Sequence, residues 1–244
     1  MRHQQLVLTV QIIAVISCSR NTRVNNRVTP TIVRVDDVEP VPWRNGGGST
    51  RELLAWPDSR DWIVRVSVAD ILASGPFSAF PGVDRWFAVL SGDAVRLETA
   101  GMDPQVLTAS QLSLHAFSGD VATHCTALGR ATRDFNLMAR RARTRVTPRP
   151  LQQSPVLETR AEGAGLFVVQ PIEVREEPGA AWQLPAMAMA WWPNPQRERR
   201  VLRAEVASVR GWWFEVHGRG LHGRGLDRGG ARAHPERMAI GDSR

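Results

Sequence analysis

Short stretches of alternating apolar and polar residues, separated by turn-forming residues, run along the chain from residue 31 to about residue 140. The clearest of these stretches is Asp61 to Ile71, and its period of two with β-branched residues predicts a strand. One face of this strand is purely apolar and is expected to face a core, while the other face carries Arg65 and Ser67. The apolar face consists of Trp62, Val64, Val66 and Val68.

Turn signals recur about every eight to twelve residues, which is the rhythm of an all-β barrel or sandwich. No stretch between residues 31 and 140 has the period of a long helix. We therefore predict an all-β fold. The other predicted strands are Ile32–Val35, a hairpin of Trp86–Leu90 and Ala94–Thr99 about Gly92, a strand near Val106, Gln111–His115, Val121–Leu128, Phe135–Ala139, and a last hairpin of Leu166–Val174 with Trp182–Leu184.

The pattern stops at both ends, which predicts one domain over residues 31–192. Residues 1–30 contain an apolar run, residues 6–18, that is too short to span a bilayer comfortably. This run fits a signal-peptide core or an extension outside the fold, and we favour the extension because nothing else in the chain looks secreted. Residues 193–244 are dense in Arg and Gly without a steady period, which predicts a disordered or out-of-register tail.

The basic charge lies in the predicted tails rather than in the predicted domain. The chain has a net charge of +7 and all 31 basic residues are Arg, yet residues 31–192 hold sixteen Arg against eighteen acidic residues. Because a nucleic-acid-binding protein needs positive charge on its folded surface, we expect no nucleic-acid partner and also no membrane partner. Cys18 and Cys125 form no disulfide framework, which fits a reducing compartment.

A glycine-rich stretch from Pro42 to Glu52 gathers much of the polar chemistry. Its three consecutive Gly residues would let a ligand approach the main chain closely. The stretch lacks the Lys-Ser/Thr pair of a phosphate-binding loop, and Pro57 stops any helix that would follow it. A ligand-binding loop and a flexible turn are the two interpretations that remain.

No catalytic or metal-binding constellation emerges from residue spacing. The six histidines lack metal-ligand spacing, and His115 and His124 are interpreted as satisfied structural residues, so we predict no metal and no cofactor. Cys125 falls in an alternating apolar strand and is expected to pack. Asp84 and Asp134 are isolated beside Arg residues, and no nucleophile–base pair stands out.

Four ordered motifs stand out along the chain: Pro42–Glu52, Trp62–Ala69, Gly75–Arg85 and Arg133–Arg141. They resemble the motifs of the HutD/Ves family, and the resemblance covers roughly residues 31–185. Three features depart from the family pattern. Arg44 replaces the usual Lys, Ser118 replaces a Pro, and the strands after Leu184 are not recognisable.

The resemblance implies a double-cupin β-barrel fold in one domain, and a cytoplasmic protein linked to histidine utilisation or a stress response. It also implies a regulatory role through the binding of a breakdown product such as N-formylglutamate. We therefore expect a metal-independent cupin that binds a small carboxylate, with a homodimer left open. The alternative is a cupin-like isomerase or hydrolase acting on a small acid, which the missing metal ligands and base disfavour.

The expected ligand site combines Arg65 with a second cation from the glycine-rich stretch, either Arg44 or Arg51. Arg holds carboxylates best because it can make two parallel hydrogen bonds to them. The polar face of the Arg65 strand is either solvated or lines a cavity, and aromatic residues would supply an apolar wall. The expected ligand-binding residues are Trp43, Arg44, Asn45, Gly46, Gly47, Thr50, Arg51, Arg65, Ser67, Phe77, Phe80, Asp84 and Asn136.

Overall fold

The alternating stretches form strands in the computed structural model, which describes residues 29–151, 156–159, 161–177, 181–193, 200–204 and 209–218. No helix in these ranges is long and apolar enough to cross a membrane, and a 3-10 turn covers Val35–Asp37. The strands are β1 (Thr31–Arg34), β2 (Val41–Pro42), β3 (Gly48–Trp56), β4 (Val64–Ile71), β5 (Gly75–Pro76), β6 (Val83–Gly92), β7 (Val95–Thr99), β8 (Gln105–Leu107), β9 (His115–Ser118), β10 (Thr123–Ala127), β11 (Thr132–Arg140), β12 (Thr144–Pro150), β13 (Val156–Thr159), β14 (Gly163–Val168), β15 (Ile172–Glu177), β16 (Ala181–Leu184), β17 (Ala188–Pro193), β18 (Arg200–Ala204) and β19 (Gly211–Gly218).

The strands form two β-sandwiches. The first sandwich pairs a six-stranded sheet, in the order β2-β3-β4-β11-β6-β9, with a four-stranded sheet, in the order β5-β10-β7-β8. The second pairs a five-stranded sheet, β1-β17-β14-β19-β12, with a four-stranded sheet, β13-β18-β15-β16. All of these strand pairs are antiparallel, and β1 joins the second sandwich although it begins the described chain. The predicted all-β class is confirmed.

The two large sheets pack face to face and share the largest core. Val64, Val66 and Val68 of β4 are fully buried there, as the alternation predicted, and Trp212 and Phe214 of β19 enter the same core from the other sheet. Trp62 is the exception to the predicted apolar face, because it precedes β4 and lies under the guanidinium of Arg140. Each sandwich also has its own interior core.

The fold continues past the predicted domain end at residue 192, so the prediction of a tail from residue 193 is wrong for β18 and β19. β19 lies between β14 and β12 in the five-stranded sheet, and Trp212, Trp213 and Phe214 are buried. A strand buried on both faces reads as a continuous apolar run rather than as an alternation, which is why the pattern missed it. Residues 1–28 of the predicted extension over residues 1–30 lie outside the described residues, as does the tail after residue 218.

The predicted hairpin about Gly92 is also wrong, because β6 and β7 belong to different sheets. The chain crosses from one sheet of the first sandwich to the other at this point. Gly92 has a φ of +86°, and a side chain there would overlap the carbonyl oxygen of Ala131. The predicted strand Leu166–Val174 is likewise divided between β14 and β15 of different sheets, and Gln111–His115 is strand only from His115 onward.

Candidate functional site

A cavity of about 490 Å³ lies in the first sandwich, bounded by β3, β4, β6, β11, the loop before β3 and the segment after β5. The polar face of β4 lines this cavity. Of the two interpretations of that face, a solvated surface and a cavity wall, the structure therefore supports the cavity wall. Nine of the thirteen expected ligand-binding residues line the cavity: Trp43, Arg44, Asn45, Thr50, Arg65, Ser67, Phe77, Phe80 and Asn136.

The glycine-rich stretch forms a tight loop that brings Arg44 and Asn45 to the cavity. The backbone N–H of Trp43 donates to the carbonyl of Gly48 at 2.9 Å, which closes the loop. Gly46 takes a φ of +69°, a conformation that favours glycine. The side chain of Asn45 accepts a hydrogen bond from the N–H of Gly47 at 3.0 Å, the usual role of Asn in a turn. The loop is therefore a defined turn rather than a flexible one.

Replacement of Gly48 by Ala is expected to destabilise the fold by about 1–3 kcal/mol, the usual cost of overpacking. A Cβ at this position would overlap the carbonyl oxygen of Asp70 on the neighbouring strand and press on the ring of Trp43. Gly75→Ala is the matched control, because a Cβ there meets nothing within 4 Å. Urea unfolding of both variants measures the difference, and equal stabilities would contradict the steric account.

Arg85 is the most deeply buried cation lining the cavity, with a relative exposure of 4%. Its guanidinium carbon lies 4.9–5.4 Å from the ring centres of Phe77, Phe80 and Phe117, within the range of cation–π attraction. One nitrogen, Nη2, donates to Asn136 Oδ1 at 3.1 Å. The Nε group is buried and has no hydrogen-bond partner among the described residues.

The charge of Arg85 persists despite its burial. Burial, opposed by the charge of Asp134 and assisted by nearby Arg65, lowers the pKa of Arg85 to about 10. A pKa of about 10 leaves the guanidinium protonated at neutral pH. The cavity wall therefore includes a buried cation whose Nε–H has no hydrogen-bond partner among the described residues.

Asp134 lines the same cavity and is 1% exposed. Burial raises the pKa of Asp134 to about 8, although the amide of Asn136 and the charge of Arg85 both favour its ionised form. Its Oδ1 atom accepts a weak hydrogen bond from Asn136 Nδ2 at 3.4 Å. Asn136 thus connects Arg85 to Asp134 through its two amide atoms, and the carboxyl is mostly protonated at neutral pH.

Arg65 lines the cavity as expected but already has an acidic partner. Its Nε donates to Glu52 Oε2 at 2.6 Å, and its side chain keeps 23% of its exposure. Ser67, two residues along the same face of β4, is buried. Because Arg65 is paired and partly hydrated, it is a weaker candidate for holding an anion than Arg85.

Four expected ligand-binding residues do not line the cavity. Gly46 and Gly47 form the turn itself. Arg51 alternates to the other face of β3 and pairs with Asp70, which Arg133 also contacts. Asp84 precedes Arg85 on β6, points to the opposite face, and pairs with Arg141 at 2.7 Å.

Sequence reasoning passed over Arg85 and Asp134 as site residues, although each carried a signal. Arg85 ends one of the family-like motifs, and Asp134 begins an alternation in β11 that continues with Asn136 and Met138. These three β11 residues line the cavity. The alternation in β11 therefore carried a signal for Asp134, and the motif carried one for Arg85.

The histidines and the cysteine take little part in this arrangement. His115 stacks on Phe117, and its buried Nε2 lacks a hydrogen-bond partner in the described ranges, so the expectation that it is satisfied is wrong. Cys125 is buried in the core of the first sandwich, as predicted, and burial raises its pKa to about 12. Within the described residues, no group of three or more His, Cys, Asp or Glu is placed to hold a metal ion.

The family model and the similar proteins point to the same family. The family model HutD matches residues 35–209. The chain is 34% identical over 177 residues to Protein Ves of Cronobacter sakazakii, covering 69% of this chain and 92% of that protein. It is also 40% identical over 111 residues to the "Uncharacterized 21.2 kDa protein in hutC 3′ region" of Pseudomonas putida, covering 44% of this chain and 56% of that protein.

Solved structures agree with the fold. HutD from Pseudomonas fluorescens SBW25, in a formate condition, superimposes with a TM-score of 0.69 at 26% identity, covering 78% of this chain and all of that one. A cupin 2 conserved barrel domain protein from Leptotrichia buccalis superimposes with a TM-score of 0.52 at 8% identity, covering 77% and 97% of the two chains. The second likeness shows the fold alone, and it confirms the predicted cupin class.

Proposed function

The chain belongs to the HutD family, and on that premise we propose that its first sandwich binds a small carboxylate, such as N-formylglutamate, and thereby modulates histidine utilisation or a stress response. The observation that carries the proposal is Arg85, a buried cation with a free N–H group on a cavity wall. The position of a P. putida relative in the hutC 3′ region supports the metabolic setting. A cytoplasmic location, independence of metals and cofactors, and homodimer formation stay predictions.

A carboxylate is the natural complement of this site. A buried charge is costly unless it is paired and hydrogen-bonded, and Arg85 meets aromatic rings and neutral acceptors rather than a carboxylate within ion-pair distance in the described chain. Arg44 adds a second cation at the loop. Since Asp134 is mostly protonated at neutral pH, the cavity has a net positive charge that favours an anion.

The size of the cavity fits a small molecule with one apolar side. A volume of about 490 Å³ lies in the usual range for small-molecule sites, which combine apolar walls with a few polar groups. Phe77, Phe80 and Trp43 form the apolar part, and Arg85 with Asn136 forms the polar part. This division matches an acid that has a short aliphatic chain.

Asp134 supports a second candidate function, a cupin-like isomerase or hydrolase acting on a small acid. A carboxyl group with a pKa of about 8 is suited to exchange protons with a substrate near neutral pH. The cavity-lining residues include no His, Cys or Lys that would act with it as a base or nucleophile. We therefore favour binding without turnover.

Titration calorimetry with N-formylglutamate, glutarate and formate tests the proposal, and proton NMR of the same mixtures tests for turnover. We expect saturable binding of at least one acid at one site per chain, with the acid recovered unchanged. New product signals would favour the enzyme. Absence of binding by every acid at millimolar concentration would contradict both functions.

A further inference from the structure

The Oδ2 atom of Asp134 is a buried polar atom on the cavity wall that has no hydrogen-bond partner within the described residues. The other carboxyl oxygen, Oδ1, accepts from the Asn136 amide. That contact and the bond from Arg85 to Asn136 Oδ1 fix the orientation of the amide. Two residues that line the cavity, Arg85 and Asp134, thus each have a buried polar atom, Nε and Oδ2, without a hydrogen-bond partner among the described residues.

We propose that Asp134 is a specificity-determining residue that donates a hydrogen bond from Oδ2 to a second acceptor oxygen of the bound acid. The cavity then selects dicarboxylates and N-acyl amino acids over monocarboxylates of the same length. This inference rests on the proposed function, in which Arg85 holds the first carboxylate. The Asn136 amide contacts both residues, because it accepts from Arg85 Nη2 at 3.1 Å and donates to Asp134 Oδ1 at 3.4 Å, so a ligand with a chain of a few carbons can reach from Arg85 to Asp134.

The groups around Asp134 determine whether it can donate. The Asn136 amide and Arg85 on β6 favour the ionised carboxylate, whereas Asp70 on β4 opposes it. Arg65 on β4 lines the same cavity. Cys125 on β10 lies near Asp134 and is uncharged, because its own burial and, to a lesser extent, the nearby carboxyl raise its pKa. Burial of Asp134 outweighs the effects of Asn136 and Arg85, so at neutral pH the carboxyl keeps its proton and can donate. A buried carboxylic acid kept neutral in this way can act as a hydrogen-bond donor to a ligand.

The donor role predicts a direction for the pH dependence of binding. The protonated form binds the acceptor oxygen, so the affinity is full well below pH 8 and falls as the pH rises through the pKa of about 8. If only the protonated form binds, the affinity for a dicarboxylate drops about tenfold between pH 7 and pH 9. A monocarboxylate, which does not use Oδ2 as a donor, should lose less.

The test is calorimetric titration of glutarate and pentanoate into the full chain and three variants at pH 6.5 and pH 9. Wild type should bind glutarate at least about tenfold more tightly than pentanoate at pH 6.5, because a pentanoate leaves the buried group unpaired. Asp134→Asn keeps a donor that does not titrate, so its glutarate affinity should fall about threefold at pH 6.5 and lack the drop at pH 9. Asp134→Leu should lose the preference for glutarate. Asp103→Asn changes an exposed carboxylate and should behave as wild type.

The outcomes separate this inference from the proposed function. If wild type binds glutarate but Asp134→Asn keeps the full drop at pH 9, or Asp134→Leu keeps the preference, the role of Asp134 is overturned while carboxylate binding stands. If wild type binds neither acid, nor N-formylglutamate, both ideas fail. Melting temperatures of the variants at pH 6.5 show whether each is folded, and the pH profile of Asp134→Asn distinguishes donation from a structural role.

Discussion

A chain that ends at residue 192 is expected to lose cooperative folding, because it lacks β19 from the interior of the five-stranded sheet. Trp212 and Phe214 fill the core between the two large sheets, and Trp213 fills the core of the second sandwich. Truncating one buried Phe or Trp to Ala commonly costs about 3–5 kcal/mol. Loss of three such side chains is comparable with the whole stability of a typical domain, about 5–15 kcal/mol.

Urea unfolding followed by tryptophan fluorescence measures this effect. The matched control is a chain that ends at residue 218, which keeps every strand of the described structure. The control should unfold in one cooperative transition near that of the full chain, and the shorter chain should show no such transition. Equal midpoints for the chain ending at residue 192 and the full chain would show that β19 is dispensable.

Replacement of Arg85 by Met is expected to weaken carboxylate binding by about 2–5 kcal/mol, the usual cost of removing one partner of a buried charge pair. Met fills much of the same volume without the charge, so the aromatic surroundings remain covered. Arg85→Lys should recover only part of the affinity, because a compact ammonium group does not reproduce the planar, weakly hydrated guanidinium that places Nε–H at the cavity. The observation behind this expectation is the free Nε of a guanidinium that is 4% exposed.

Arg65→Met is the matched comparison, since it removes the other β-strand arginine of the cavity. Arg65 is already paired with Glu52 and is partly exposed, so its loss should cost less affinity than the loss of Arg85. Calorimetric titration of N-formylglutamate into the four proteins measures the order. A larger loss of affinity in Arg65→Met than in Arg85→Met would show that Arg65, the arginine expected from the sequence, holds the anion.

Local pattern predicted the strands better than it predicted their partners. The alternation in β4 identified the valine face in the core and separated it from the polar face, because the period of two is a property of the strand itself. It left open whether the polar face is solvated or lines a cavity. The same period does not show which sheet a strand joins, so β6 and β7 were wrongly joined as a hairpin. β19 was not predicted as a strand, because burial on both faces removes the alternation altogether.

The candidate site was predictable where residues follow one another in a loop and less so where they alternate. The glycine-rich stretch showed Trp43, Arg44 and Asn45 at once. Arg51 and Arg85 were harder, because the direction of each depends on strand register, and a shift of one residue moves a side chain to the other face. Burial, which gives Arg85 its role, is a tertiary property that no single motif displays.

A crystal structure of the full chain with N-formylglutamate tests the central claim most directly. We expect one carboxylate of the ligand within about 3 Å of Arg85 Nε, inside the cavity of the first sandwich, with its chain against Phe77 and Phe80. Density for the ligand outside this cavity, or within it but held by Arg65 while Arg85 Nε stays unpaired, would contradict the account.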